Sequence, residues 1–289
     1  MLSDELRRRL AHRSASDHTG RKPDEDDSPF RERLRRAARA YELRDANIPA
    51  ARELQEAVSG REVETESGRF YLVEPEPETL HKDMAGITAG HVGLRYWSSD
   101  SEDTVPSEYR SLIGPEPERI LYLDIETTGF MGTPLFLIGI MYLERGSIRI
   151  SQLLARDYSE EGPLLEYLAE KFSGFDCLIT FNGKSFDIPF IRDRYFANAI
   201  RCRFPQHHLD LLWPSRRKWR AKLPDCTLQT LEKWICGRGR VVDIPGMEIP
   251  DTYHLFVRTG NAALLCPILE HNALDLVTMG DLIFHLFSD

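Results

Sequence analysis

Two acidic residues stand two positions apart at the end of an apolar segment. In the stretch Ile120-Leu-Tyr-Leu-Asp124-Ile-Glu126, both carboxylates would point to the same face of a β-strand, because side chains alternate along a strand. Two like charges this close are unfavourable unless a cation lies between them, which makes the pair a candidate for metal binding. On the pair alone, two acidic residues that face solvent remain the simpler interpretation.

Three further polar residues that could join such a site follow in order along the chain. Asp187 comes just after another apolar segment, where it would begin a helix, and aspartate is also an ordinary residue at a helix start. His271 and Asp275 are four residues apart in an apolar helical segment and share one helix face, although a polar pair at the surface is the alternative. The triplet Gly183-Lys184-Ser185 is not a phosphate-binding P-loop, because Leu178 stands where that loop needs a glycine.

Short apolar segments that alternate with helical patterns after residue 118 would position these side chains. The pattern predicts strands at 120–125, 135–143, 148–154, 177–181 and 208–212. It predicts a helix capped by Ser159 and closed by Gly174, and further helices at 188–197, 228–235, 251–258 and 262–287. Strands that first form hairpins and then alternate with helices indicate a mixed sheet covered by helices, so the predicted fold class is α/β.

The first 117 residues predict a different organisation. Residues 1–45 are highly charged and poor in large apolar side chains, which predicts a partly disordered segment with one short helix near 30–41. Residues 46–117 predict a small accessory region with a helix at 49–60, a β-hairpin at 62–73 and a linker that ends near 114–118. Residues 118–289 would then form the main domain.

Length and composition limit the class of protein. The chain has 289 residues, of which 42% are hydrophobic, so it can bury a sizeable core and is neither wholly disordered nor collagen-like. No apolar run reaches the roughly 18 residues that a membrane helix needs, so no membrane association is expected. The N-terminus lacks the apolar stretch of a signal peptide and the five cysteines form no CxxC pair, so a cytoplasmic location is expected. Nothing in the sequence indicates the oligomeric state.

A basic segment at 201–222 contrasts with the whole chain, whose 37 Lys and Arg and 46 Asp and Glu give a net charge of −9. The segment holds seven basic residues and one acidic residue, a local charge of +6. Because Phe204, Trp213 and Trp219 are interleaved with it, the segment could follow a single strand of nucleic acid through phosphate contacts and base stacking. A solvated loop with structural tryptophans is an equally good interpretation.

Taken in order, these motifs resemble the DEDD superfamily of metal-dependent 3′–5′ exonucleases, which have a ribonuclease H-like fold. The matching motifs are Asp124-Ile-Glu126-Thr-Thr-Gly129, Phe181-Asn-Gly with Phe186-Asp187-Ile-Pro189, and His271-Asn-Ala-Leu-Asp275. Together with His208-Leu-Asp210 and the stretch from Asp243 to Tyr253, they are most similar to the YprB-type ribonuclease H-like proteins over residues 119–287. The resemblance implies a ribonuclease H-like mixed sheet flanked by helices, with residues 118–289 as the nuclease domain.

The resemblance also implies a nuclease that binds two Mg²⁺ or Mn²⁺ ions, since carboxylates are the hard oxygen ligands that these ions prefer. Asp124 would hold both ions, and Asp187 would hold one of them. Glu126 and Asp275 would hold the ion of the attacking water. His271 would be the general base or would orient the water, although a histidine stands here at the spacing where one subclass has a tyrosine.

The partner that the resemblance implies is nucleic acid, bound as a single strand or by its 3′ end. The residues expected to contact it are Thr127, Lys184, Arg216, Arg217, Lys218, Trp219 and Arg220. The alternative is a nucleic-acid-binding module with the same fold and little or no turnover. The sequence leaves open the choice between DNA and RNA and between exonuclease and endonuclease.

Overall fold

A computed structural model describes residues 49–94, 109, 112, 115–240 and 243–287 of the chain. The predictions for residues 1–48, which include the disordered segment and the helix near 30–41, lie outside the described residues.

Seven strands form one mixed sheet in this part of the chain, in the order β1-β2-β5-β4-β3-β6-β7. They are β1 (Arg61–Thr65), β2 (Gly68–Val73), β3 (Ile120–Thr127), β4 (Leu135–Glu144), β5 (Ser147–Leu154), β6 (Cys177–Thr180) and β7 (His207–Asp210). Strand β6 pairs in parallel with β3 and β7, whereas the other neighbours are antiparallel. The predicted mixed sheet is confirmed, and each strand predicted after residue 118 is present to within two residues at either end.

The long apolar segments of the sequence arise because both faces of the sheet are covered. Alternate residues of β3 enter two separate hydrophobic clusters. Leu121 and Leu123 pack on one face of the sheet, and Ile120 and Tyr122 pack on the other. Strand β3 therefore lies at the centre of the core, and the acidic residues near its end are positioned by buried neighbours.

Nine helices among the described residues flank the sheet: α1 (Leu54–Ala57), α2 (Pro77–Leu80), α3 (Met84–Gly93), α4 (Glu161–Phe172), α5 (Asp187–Ala197), α6 (Leu212–Trp219), α7 (Leu228–Trp234), α8 (Ile249–Thr259) and α9 (Cys266–Phe287). Helices α4, α5 and α8 contribute to the first cluster, and α3 with most of α9 contributes to the second. In the described ranges, no helix has both the length and the apolar character of a membrane span.

Two predicted helix boundaries are wrong, and three helices, α2, α3 and α6, are additional to those predicted. The predicted helix at 49–60 is reduced to the single turn α1, because Val58 adopts an extended conformation that leads the chain into β1. Ser159 does not cap α4, since the Asp157 carboxylate accepts a hydrogen bond from the Ser159 amide and begins a short 3-10 turn instead. The basic segment contains α6, which begins where the Asp210 carboxylate accepts from the Leu212 amide at 3.1 Å.

The region before residue 118 shares the sheet and core of the region after it. The predicted hairpin at 62–73 is present as β1 and β2, and β2 extends the sheet by pairing Tyr71 with Leu154 of β5. Helix α3 is joined to β3 through buried His91, whose ring nitrogens lie 3.0 Å from the Tyr122 hydroxyl and 2.7 Å from the Pro117 carbonyl. The boundaries of the two predicted domains stay a prediction.

Candidate active site

The carboxyl ends of the parallel strands β3, β6 and β7 meet at one edge of the sheet, and acidic residues gather there. Asp124 and Glu126 lie near the end of β3, and Asp187 begins α5 shortly after β6. Helix α9 packs against β3 and adds Asp275. The charges of the other three acids all act on Asp124, so the four carboxylates singled out from the sequence lie together.

Burial and mutual repulsion make these carboxylates reluctant to ionise. Asp187 is 5% exposed, and 14% of the side chain of Glu126 and of Asp275 is exposed. Burial, and then the charges of the neighbouring acids, raise the pKa of Asp124 and of Glu126 well above the usual range. Burial also raises the pKa of Asp275, and it raises the pKa of Asp187 to about 7 although hydrogen bonds from backbone amides oppose the shift.

This set of side chains fits a divalent cation. Carboxylates offer only oxygen ligands, which suit Mg²⁺ or Mn²⁺ better than softer metals. The raised pKa values reflect a repulsion among Asp124, Glu126, Asp187 and Asp275 that a bound cation would relieve. These four residues are therefore candidate ligands for metal ions.

Asn272 holds Asp124 from the neighbouring helix. It is fully buried, its amide donates to Asp124 Oδ2 at 2.8 Å, and its oxygen accepts from the Gln152 amide at 2.8 Å. Asp124, Gly139 and Gln152 lie side by side on the neighbouring strands β3, β4 and β5. Asn272 of α9 lies across Gly139 and contacts both Asp124 and Gln152. No spacing in the sequence indicates this role, although Asn272 lies inside the motif at 271–275, because the contact depends on how α9 packs over the sheet.

His271 lies between the carboxylates and the segment after α7. Its Nε2 is 3.9 Å from Glu126 Oε1 and 3.6 Å from Asp275 Oδ2. Its Nδ1 is 2.7 Å from Asp243 Oδ1 and 3.3 Å from Nη1 of Arg240. The structure therefore brings the predicted His271 to the predicted acids and adds Asp243 as its partner.

Arg240 is a further residue of the site that sequence analysis missed. Only 5% of its side chain is exposed, and its guanidinium forms ion pairs with Asp275, with Glu232 at 2.9 Å and with Asp243 at 3.4 Å. No sequence spacing points to Arg240, since its acidic partners come from α7, α9 and a loop. Asp243, the first residue of the 243–253 segment that contributes to the family resemblance, lies beside the site through its contacts with Arg240 and His271.

Two of the residues expected to contact nucleic acid, Trp219 and Thr127, are buried, and a third, Lys218, is hydrogen-bonded to the backbone of α9. Trp219 is wrong as a stacking residue, because it is 6% exposed and belongs to the hydrophobic core. Lys218 donates to the His285 carbonyl at 3.0 Å near the end of α9. Thr127 is 8% exposed, and its hydroxyl donates to the Gly129 carbonyl at 2.8 Å, so the hydroxyl belongs to the turn after β3.

The remaining expected contacts are exposed. Lys184 is exposed in the turn after β6, where its backbone amide donates to Asp210 at 3.0 Å. A groove of about 770 Å³ runs beside α6, and its lining includes Trp213, Arg216, Arg217 and Arg220. Trp213 is 57% exposed, and the guanidinium carbon of Arg216 lies 5.6 Å from the centre of its ring. In place of Trp219, Trp213 is the exposed aromatic residue of this basic groove.

A second group of metal-ligating side chains lies further along α9. The ligand atoms of Cys236, Asp281 and His285 all lie within 4.8 Å of one another. Burial raises the pKa of the Cys236 thiol well above its usual range, which keeps it protonated and a poor ligand. Asp281 already pairs with Arg238 at 3.4 Å and with His285 at 3.4 Å, so the group is accounted for as an ion-pair network.

Comparison with known proteins places this fold in a family. The chain is 32% identical over 181 residues to the protein described as uncharacterized protein YprB of Bacillus subtilis (strain 168), and the match covers 60% of this chain. It covers 43% of the relative, so the chain spans less than half the length of the curated relative it matches.

A family B DNA polymerase from the hyperthermophilic archaeon Pyrobaculum calidifontis is similar in structure, with a TM-score of 0.48 and 15% identity over 58% of this chain and 24% of that chain. A family model described as RNase_H superfamily matches residues 121–287, which is more than half of the chain. The resemblance to YprB-type ribonuclease H-like proteins is thus confirmed, and the chain belongs to the RNase_H superfamily.

Proposed function

We propose that this protein is a metal-dependent nuclease that hydrolyses phosphodiester bonds of nucleic acid, and specifically a 3′–5′ exonuclease. The observation that carries the proposal is the cluster of four carboxylates at the strand ends of a chain in the RNase_H superfamily. The order and spacing of Asp124, Glu126, Asp187, His271 and Asp275, which resemble those of DEDD exonucleases, support the exonuclease assignment.

The four carboxylates are proposed to hold two Mg²⁺ or Mn²⁺ ions. Asp124 would hold both ions, Glu126 and Asp275 one of them, and Asp187 the other. Bound divalent ions would neutralise the phosphate oxygens, favour deprotonation of the attacking water and stabilise the leaving oxygen. In the reaction, the water oxygen bonds to phosphorus as the bond to the 3′ oxygen breaks, which releases a nucleoside 5′-monophosphate and leaves a new 3′ hydroxyl.

His271 is suited to accept the proton of the attacking water. Its Nδ1 faces Asp243, so Nε2, which lies on the side of Glu126 and Asp275, is the ring nitrogen placed to take up that proton. Asn272 supports the same chemistry by fixing the orientation of the Asp124 carboxylate. His271 and Asp124 are thus each held by a second side chain, His271 by Asp243 and Asp124 by Asn272.

Exposed aromatic and basic side chains support nucleic acid as the substrate. Phe130 in the turn after β3 is 91% exposed, and Phe186 just before Asp187 is 42% exposed. Both rings flank sequence motifs of the site, where they could stack on bases near a 3′ end. The groove beside α6 adds phosphate-binding charge from Arg216 and Arg220.

The test is hydrolysis of 5′-labelled single- and double-stranded DNA and RNA, each with a free or a blocked 3′ end, in Mn²⁺, Mg²⁺ or EDTA. We expect a ladder of products that shorten from the free 3′ end, no products in EDTA, and none from Asp124→Asn. Cleavage of blocked substrates would indicate an endonuclease instead. Binding of the oligonucleotides without any products would favour the alternative of a binding module.

A further inference from the structure

Arg240 places a fixed positive charge inside the carboxylate site. Its guanidinium pairs with Asp275 through Oδ1, while Asp275 Oδ2 is 3.6 Å from His271 Nε2. Burial disfavours its charged form, but the charge of Asp275 and the hydrogen bonds of Asp275 and Glu232 hold the pKa of Arg240 above its usual range. Arg240 is therefore a permanent cation in this place.

The influence of Arg240 extends beyond its direct partner. Its guanidinium also lies 3.4 Å from Asp243 Oδ1, the oxygen that contacts His271 Nδ1 at 2.7 Å. One of the four carboxylates, Asp275, is thus partly neutralised by a residue of the protein itself. A cation that neutralises a ligand also weakens the attraction of that ligand for a metal ion.

The surroundings of Arg240 keep it in this position. Glu232 of α7 is 3% exposed, lies 2.9 Å from Arg240, and accepts from the Thr278 hydroxyl at 3.2 Å. Asp243 contacts both Arg240 and His271. The guanidinium is thus held from α7, from α9 and from its own loop, and its withdrawal from Asp275 would leave that carboxylate, only 14% exposed, without its arginine.

Building on the proposed function, we propose that Arg240 is a positioning residue that orients Asp275 through Oδ1 and lowers the affinity of the carboxylate site for divalent ions. Asp275 then contributes mainly Oδ2 to an ion. The site holds its ions in the orientation that the reaction needs but binds them less tightly than four free carboxylates would. This role differs from a purely structural one, in which loss of Arg240 would disorder Asp275 and weaken ion binding.

The test is Mn²⁺ binding to the metal-free full chain without nucleic acid, measured by electron paramagnetic resonance of the free ion and by calorimetry. Arg240→Gln is expected to bind Mn²⁺ roughly tenfold more tightly than wild type, the factor that 1.4 kcal/mol corresponds to, while its kcat falls. Arg240→Lys is expected to keep the wild-type affinity and to recover part of the lost kcat. Arg238→Gln, which removes the same charge two residues away, is the matched control and should leave the affinity nearly unchanged.

Folding is checked by circular dichroism, because Arg240→Gln removes the nearer of the two arginines that pair with buried Glu232, the other being Arg238 at 4.0 Å. If that variant does not fold, Arg240→Gln with Glu232→Gln is compared with Glu232→Gln alone, and the double variant should bind Mn²⁺ more tightly. Weaker or unchanged binding in a folded variant would overturn the role of Arg240 and leave the nuclease proposal standing. Absence of Mn²⁺ binding by wild type would overturn both, whereas tighter binding in a protein without hydrolysis would overturn only the proposed function.

Discussion

The side-chain amide of Asn272 lies directly against the backbone of Gly139. A β-carbon at position 139 would be 2.2 Å from Asn272 Oδ1, a distance that no relaxed structure tolerates. Because Gly139 has no β-carbon, the Asn272 side chain has room to reach Asp124. Asp124 is the residue opposite Gly139 in the neighbouring strand β3. The orientation of a proposed metal ligand thus depends on a glycine of another strand.

Gly139→Ala is expected to displace Asn272 and to damage both stability and activity. Overpacking in a rigid core costs about 1–3 kcal/mol, and loss of the hydrogen bond to Asp124 would misorient that carboxylate. Urea unfolding and the rate of oligonucleotide hydrolysis measure the two effects. Gly93→Ala, where a β-carbon meets nothing within 4 Å, is the matched control. Wild-type activity in Gly139→Ala would show that Asn272 does not position Asp124.

Asp187→Asn is expected to change how the stability of the metal-free protein depends on pH. The pKa of Asp187 is about 7 in the folded protein and 3.8 in its reference state, so the folded protein holds this proton more tightly than the unfolded chain does. The contribution of Asp187 to stability is therefore fully present below pH 4 and is lost as the pH rises from about 4 to about 7. Asparagine cannot ionise, so the stability of the variant relative to that of wild type should increase as the pH rises across this range.

The measurement is urea unfolding of both proteins in EDTA at several pH values between 4 and 8. Excess Mn²⁺ at pH 7 should reverse the difference, because a bound ion favours the ionised carboxylate of wild type. Asp193→Asn, on the same helix and partly exposed, controls for the substitution itself. A difference between Asp187→Asn and wild type that does not vary with pH would contradict the expected ionisation.

Neutralising the groove beside α6 is expected to weaken nucleic-acid binding in a salt-dependent way. Arg216→Gln with Arg220→Gln should raise the Kd and flatten the plot of log Kd against log salt by roughly 0.7–0.9 per lost phosphate contact. Turnover at saturating substrate should change less, because the carboxylates are untouched. Arg149→Gln with Arg258→Gln removes equal charge from other exposed positions and serves as the control. An unchanged slope would make α6 a solvated helix without a role in binding.

His271→Ala is expected to lower the rate of hydrolysis by about 10²–10⁴-fold, the usual contribution of general acid–base catalysis. Mn²⁺ binding should be retained, because the carboxylates remain in place. His271→Tyr should keep more activity than His271→Ala if the side chain mainly orients the water. His254→Ala, a partly buried histidine on α8, is the control. A less stable His271→Ala with the wild-type rate would make His271 a packing residue only.

The strands and the chemically important residue types could be predicted from the sequence because each depends on local pattern. Ile120 to Leu123 form a continuous apolar run because both faces of the sheet are covered. Such a run can be recognised in the sequence before the structure is known. Asp124, Glu126, Asp187, His271 and Asp275 were recognisable because their order and spacing match a family. Their proposed roles stay predictions.

Only the tertiary structure decided which neighbours act on those residues. Asn272 is 148 positions from Asp124, and Arg240 is 35 positions from Asp275, so no local pattern records either contact. Whether an aromatic side chain in the basic segment faces solvent was equally undetermined, because helix α6 turns Trp219 into the core and leaves Trp213 exposed. Local pattern reflects the energy of elements one at a time, whereas burial, charge pairing and pKa depend on which distant elements pack together.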